Sequence, residues 1–424
     1  MRENQELANS KNLYWRDMMK NERIALICLM LLTVEYVAHY YMEIGILPKM
    51  IIYVNAFIAV FFPLYSLINS PKRQYRLYPA IFLLVFMCIL IYTIVLIPMN
   101  GRASRDVVCI TVYLQILAAI FYSDLSWDVI EKMFKITAIL AMIGFVFAIS
   151  RISNFNISVA IGRGYQYEEI FYYAALFWSA FPFMIMSLIR KRNVFFAGLN
   201  LVFCIVLNLI TVKRIVLLQV GILIMIIFGI IIMEPETEDY SKRKALRNLL
   251  FIIAIALVVL RVFAWNTVTG LFDSVFERTI AETENNLSLF NRFQESLNYL
   301  NSASFFDLIM GKGLGGVHRG LGVVSEALHS GWVNFLLKGG IALFTLMFIP
   351  FLKALRSIFH YRSMPEKTRF AFWYILYMFP MLFMSNMHSF YPQLFLYVYC
   401  CIEMMGFGGN RNRGGKNETM GFTR

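Results

Sequence analysis

Charge is scarce in this 424-residue sequence: Asp, Glu, Lys and Arg make up 15% of it, against 59% hydrophobic residues. That balance excludes a string of soluble domains, in which about a quarter of residues are charged. The apolar runs also lack apolar–polar alternation, which excludes the strands of a closed membrane barrel. Cysteine offers no framework, because Cys28, Cys88, Cys109, Cys204, Cys400 and Cys401 all fall inside apolar runs and none lies in a long loop where bridges would staple a domain. The first 23 residues are polar and charged, and no small-residue cleavage site follows the first apolar run, so we read no cleavable signal peptide. No internal repeat is visible either, which weakens a transporter built from two related halves.

What is present is a series of long apolar runs, each near the ~20 residues that a helix needs to cross a bilayer. The expected fold is all-α, a polytopic membrane bundle of about 12 transmembrane helices. Its spans fall at about 24–42, 50–69, 79–98, 107–122, 134–150, 170–189, 194–212, 215–233, 249–265, 332–352, 370–387 and 392–408. The net charge of +13 sorts by side: with the amino terminus in the cytoplasm, segments on that side hold 26 Lys and Arg and the external loops hold 11. This is the positive-inside bias, so both termini are read as cytoplasmic and the basic balance needs no nucleic acid partner.

The chain therefore divides into a cytoplasmic segment 1–23, spans one to nine over 24–265, a large external loop 266–331, spans ten to twelve over 332–408, and a Gly-, Asn- and Arg-rich cytoplasmic tail 409–424. Lys72, Arg73 and Arg76, then Arg190, Lys191 and Arg192, then the Lys242 to Arg247 cluster and the 353–369 loop read as interfacial anchors that contact lipid headgroups. Residues 123–135, with Leu125, Trp127, Ile130, Met133 and Phe134 on one side, read as a short interfacial helix leading into the fifth span.

The external side carries the unusual features. Arg163 stands with Tyr165, Tyr167 and two glutamates in the loop 151–169, a mixture suited to a polar ligand. Lys213 and Arg214 face outward between spans seven and eight, against the charge bias. The loop 266–331 is about 65 residues long, and loops beyond ~15 residues are commonly functional. Within it Leu287, Phe290, Phe293, Leu297 and Leu300 recur at helical spacing, predicting an amphipathic helix with Arg292 and Glu295 on its flank. A second apolar piece, 305–310, runs into a glycine turn, so the loop reads as a helical cap on the outer membrane face.

Gly311, Gly313 and Gly316 match the dinucleotide-binding spacing, but no strand or crossover unit surrounds them and they lie outside the cytoplasm. They read as a turn before a helix, or as backbone N–H groups facing an anion. His329, just before span ten, is a candidate general base for a hydroxyl nucleophile, with Glu326 a candidate to orient it. His318 and His388 are alternatives, His39 and His360 weaker ones. The external histidines are far apart and no Asp-x-Asp pair stands near them, so no metal constellation emerges. Arg214, Arg278, Arg292 and Arg319, with Lys213 and Lys312, supply external cations whose forks and charges suit a lipid diphosphate. Lys338 lies about two turns into span ten, where an ammonium is costly unless it faces a polar cavity or snorkels.

The segment His329-Ser330-x8-Gly339-Gly340 opening an apolar helix, preceded by Gly311-x-Gly313 at the end of a long external loop, resembles the signature region of the O-antigen polymerase and ligase superfamily. The Arg292-Phe293 helix and Arg214 at an outer junction share that resemblance, which is close over residues 290–344 and loose elsewhere. Lys338 departs from the family's uncharged apolar-then-glycine pattern. The resemblance implies a metal-independent C-type glycosyltransferase without cofactor, working on the outer face of the bacterial inner membrane. It implies a polyprenyl-diphosphate-linked oligosaccharide as donor and acceptor, surrounding membrane lipid, and a chain-length regulator as a further partner. Arg214 and Arg292 take the family's diphosphate-binding positions, Arg278 a further one, and His329 that of the histidine beside the acceptor hydroxyl. A repeat-unit polymerase is the preferred expectation. A ligase that transfers glycan to lipid A core is the first alternative, and a lipid-linked oligosaccharide flippase the second.

Overall fold

The computed structural model describes residues 77–100, 127–151, 181–211, 214–235, 289–319, 324–325, 328–384 and 391–406, with single positions at 54 and between 110 and 119. These residues are predominantly helical, as an all-α fold requires. The helices are α1 (Leu77–Asn100), α2 (Trp127–Arg151), α3 (Phe181–Arg190), α4 (Val194–Thr211), α5 (Arg214–Met233), α6 (Leu289–Ser302), α7 (Phe305–Met310), α8 (Gly331–Ser357), α9 (Glu366–Met384) and α10 (Tyr391–Gly406). A 3-10 helix, Ile358–Ser363, joins α8 to α9. One two-residue antiparallel pair, His318–Arg319 with Val324–Ser325, interrupts the helical pattern.

Helices α1, α4, α5, α9 and α10 follow the expected spans 79–98, 194–212, 215–233, 370–387 and 392–408 to within a few residues. α2 begins at Trp127, so the expected interfacial helix and the fifth span form one continuous element. The expected spans 24–42 and 249–265 lie outside the described residues, as do nearly all of 50–69, most of 107–122 and the tail 409–424. By length and composition two helical stretches of the described residues are able to cross a membrane, Leu77–Leu96 and Gly331–Ser363.

The second of these departs from a single straight span. α8 has non-helical backbone at Gly339 and Gly340, and Trp332 on one side of that break lies 6.0 Å from Phe344 and 5.6 Å from Phe348 on the other, ring centre to ring centre. In an uninterrupted helix, residues 332 and 348 would be about 24 Å apart along the axis. The chain therefore folds back at the glycine pair, and the short arm Gly331–Lys338 returns along the long arm. Phe379 of α9, 5.2 Å from Trp332, joins the same aromatic pile, and the Trp332 indole N–H donates to the Phe379 carbonyl at 3.1 Å.

The long arm packs between α9 and α10, with α1 alongside. Pro350 within it has no N–H to give the Leu346 carbonyl, and an orphaned carbonyl is costly in apolar surroundings. The Tyr78 hydroxyl of α1 donates to that oxygen at 2.7 Å, while Tyr397 of α10 donates to the next, Met347, at 2.9 Å. At the far end of the long arm sits a second polar group. Buried Glu234, just past α5, accepts from the Tyr361 hydroxyl at 2.6 Å and Arg369 Nε at 3.1 Å, and the Trp373 indole donates to Tyr361 at 2.7 Å. Trp373 fits over Gly229 of α5, where any side chain would collide with its ring. Arg190 binds Asp128 at 2.8 Å and Glu131 at 2.6 Å at the same end, with Glu366 at the start of α9 3.8 Å away. The residues of these clusters in 123–133, 190–193 and 353–369, and Glu234, come from segments that charge bias assigns to one side.

Candidate functional site

The glycine turn that follows α7 is held by main chain on both flanks. α7 begins with a capping box in which Ser304 Oγ accepts from the Asp307 amide at 3.1 Å and the Asp307 carboxylate accepts from the Ser304 amide at 3.2 Å. It ends at Gly311, whose φ of 75° lies in the left-handed region. A Cβ there would stand 2.7 Å from the amide nitrogens of both Gly339 and Gly340, and one on Gly340 would run into the Ile309 carbonyl. The end of α7 thus lies backbone to backbone against the break in α8, which only glycine permits. The Lys312 amide then donates to the Leu337 carbonyl at 2.6 Å, and the Leu314 amide donates to Thr93 Oγ1 of α1 at 2.9 Å.

Lys338 completes this joint. It is fully buried, and its ammonium donates to the Gly316 carbonyl at 2.8 Å, which ties the end of the short arm to the end of the turn. Read from sequence as a substrate-binding candidate that either snorkels or faces a polar cavity, it is bonded here to the turn. An ammonium in apolar surroundings is tolerated because a main-chain carbonyl receives it.

His329 precedes the short arm and is fixed from two directions. Asn334, fully buried, accepts from the Leu328 amide at 2.7 Å and donates to the Leu328 carbonyl at 2.6 Å, pairing with the residue before the histidine. Glu295 of α6 takes the histidine itself: Oε2 accepts from the His329 amide at 3.0 Å and lies 2.7 Å from Nδ1. An ionised carboxylate only accepts, so Nδ1 carries the proton and the lone pair of a neutral ring is on Nε2. Glu295 is buried, whereas the His329 side chain is half-exposed. This is the geometry of a base oriented by a carboxylate.

The other carboxylate oxygen, Oε1, is 3.7 Å from Nε2 of buried His318 on the small β-pair. The Tyr299 ring packs edge-on to His318 at 6.4 Å. Burial, and then the charge of Asp307, push the Tyr299 phenol up to about 12, so it stays protonated. Lys312 lies 3.8 Å from Asp307 and 6.0 Å from the centre of the Tyr299 ring.

The structure thus brings together His329, His318, Lys312 and Lys338 around the glycine turn. Arg214 opens α5 and Arg292 lies in the first turn of α6, both placed by their backbones. Lys213, Arg278, Glu326, Arg163, His388 and His39 lie outside the described residues, and His360 is exposed on the 3-10 helix at the opposite end of α8. The orienting acid found is Glu295, the single acidic residue of α6. Sequence reasoning placed it on the flank of that helix without giving it a role. Asn334 and Thr93 were missed; an amide or hydroxyl inside an apolar run is the signal that marks both. Among the described residues no group of three or more metal-ligating side chains is assembled. Comparison with family models, curated proteins and solved structures finds no match for this chain.

Proposed function

We propose that the protein is a membrane glycosyltransferase that polymerises polyprenyl-diphosphate-linked oligosaccharide repeat units on the outer face of the bacterial inner membrane, within a bundle of about 12 spans. The observation that carries this reading is the buried Glu295 carboxylate holding Nδ1 of the half-exposed His329 at 2.7 Å. That pairing orients the imidazole so that Nε2 is the nitrogen that accepts a proton from a sugar hydroxyl. The resemblance of the surrounding segment to polysaccharide polymerases supplies the substrate class.

The acceptor hydroxyl gives its proton to Nε2 of His329 as its oxygen bonds the anomeric carbon of the donor. The bond from that carbon to the diphosphate oxygen breaks, and its electron pair leaves with the lipid diphosphate. Attack opposite the leaving group inverts the anomeric centre. Glu295 stabilises the imidazolium so formed, and Arg214 and Arg292 neutralise the charge growing on the diphosphate, the larger of the two contributions because the leaving group accumulates that charge. Arg278, Lys213 and Arg163 belong to substrate binding in this scheme.

The test is a polysaccharide gel from cells that depend on this chain for their glycan. With His329→Ala, the long-chain ladder is expected to collapse by about 10²–10⁴-fold, as for loss of a general base. Normal chains at normal protein level would overturn the assignment. A single capped repeat unit left behind identifies the polymerase. Free long chains that fail to reach lipid A core identify a ligase, and undelivered lipid-linked repeats retained on the inner side identify a flippase.

A further inference from the structure

Helix α6 is amphipathic in the reverse of the usual sense. Its polar side is turned inward, with Glu295 5%, Ser296 8% and Tyr299 1% exposed, while Phe293 is 63% and Leu300 39% exposed. Phe293, Leu297 and Leu300 are spaced i, i+4, i+7 and form one stripe. Helix α7 continues it: Phe305, Phe306, Ile309 and Met310 are all exposed, Phe305 at 80%, and α7 buries no residue. Its one charge, Asp307, is turned back onto the Ser304 amide and toward Lys312, so it does not interrupt that apolar surface.

A polar face buried and an apolar face exposed require an apolar medium outside. The adjoining helix indicates which one. The turn after α7 is bonded to Thr93 of α1, and α1 presents its own exposed apolar stripe, Leu84, Met87, Ile91, Ile94 and Val95, along the length that suits a membrane span. The cap is therefore anchored on the buried face of the helix whose other side carries this stripe. We infer that α6 and α7 lie in the outer leaflet as an interfacial platform, their apolar side chains sunk among the acyl chains and their polar side carrying Glu295 and, through it, His329. The inference rests on the reading of α1 as a membrane span. It adds that the diphosphate of a lipid-linked substrate reaches the site without leaving the bilayer.

The full chain, with its other cysteines replaced, is labelled with bimane at native Cys88, which is exposed on α1, or at Phe305→Cys, Phe306→Cys or Ser302→Cys. It is reconstituted in phosphatidylcholine–phosphatidylglycerol vesicles whose acyl chains are dibrominated, and iodide serves as the aqueous quencher. Bromolipid is expected to quench positions 305 and 306 to an extent comparable with Cys88, from a depth of about 5–10 Å. Iodide should quench the Ser302 label alone. Labels at 305 and 306 that respond to iodide, or that are shielded from both quenchers by protein, overturn the inference while Cys88 keeps the span reading intact. A Cys88 label that bromolipid does not quench overturns both.

Discussion

Two buried carboxylates stand at opposite ends of α8, and their partners differ in kind. Glu234 gives one oxygen to the Tyr361 hydroxyl and to Arg369, which also donates to the Met364 carbonyl. The Tyr361 hydroxyl also accepts from the Trp373 indole, so its own hydrogen is left for Glu234. Both partners are largely or wholly shielded. Glu295, equally buried, is partnered by imidazoles, the side chain type that titrates in the physiological range, and one of them is half-exposed. The first arrangement fixes a helix junction. The second orients a half-exposed imidazole, the base of the proposed reaction.

Removing each carboxylate in turn separates the two roles. Glu234→Ala leaves the largely shielded Arg369 guanidinium without its anion, which costs up to about 3–5 kcal/mol. Thermal unfolding in detergent should drop accordingly, while glycan synthesis per folded molecule is retained. Glu295→Ala loses hydrogen bonds to one carboxylate, about 1–3 kcal/mol, so its stability loss is the smaller and its activity loss the larger. Equal profiles for the two variants would show that the Glu295 cluster is a second strut.

A finer distinction comes from Glu295→Gln. The amide oxygen still accepts from Nδ1–H, so the tautomer and ring position survive, but the charge that stabilises the imidazolium is gone. Turnover should fall about 10–100-fold, the worth of a hydrogen bond to a charged group, with substrate affinity and melting temperature little changed. A variant with wild-type turnover would remove Glu295 from the chemistry and leave it a scaffold residue.

Much of this contrast was legible in the sequence only in pieces. Apolar length and composition placed α1, α4, α5 and α9 because those properties are local. The charge bias, a sum over short loops, assigned the segments 190–193 and 353–369 to one side, and Arg190 lies 3.8 Å from Glu366 in the second of them. The break in α8 was not legible: a glycine pair in an apolar run is compatible with a straight helix. Its fold-back depends on the backbone of Gly311, 28 positions upstream of Gly339, pressing against it. The same holds for Lys338, whose partner is a main-chain carbonyl and carries no residue signature. Helical spacing found the stripe of α6 but not which way it faces, because orientation is decided by what surrounds the helix. Glu295 reaches His329 across 34 positions of chain, a pairing that no local spacing signals, whereas the candidate one turn away, Glu326, lies outside the described residues.

The smallest expected effect tests whether any ion pair at the Glu234 end matters as much as a buried one. A hydrogen bond from Arg190, and then its charge, hold the Asp128 carboxyl below the usual carboxylate value. A depressed folded pKa means that the pairing contributes stability above the unfolded value of about 4 and loses it as pH falls through the folded one. Asp128 is 69% exposed, so solvent screens most of that contribution, and Arg190 retains its second partner Glu131. Asp128→Asn should therefore lower the melting temperature slightly at pH 7, with the gap to the parent protein closing below about pH 4. A large gap at pH 7 would mean that exposed Asp128, and not only buried Glu234, fixes that end of the bundle, and the contrast between a rigid end and a reactive end would then rest on the Glu295 cluster alone.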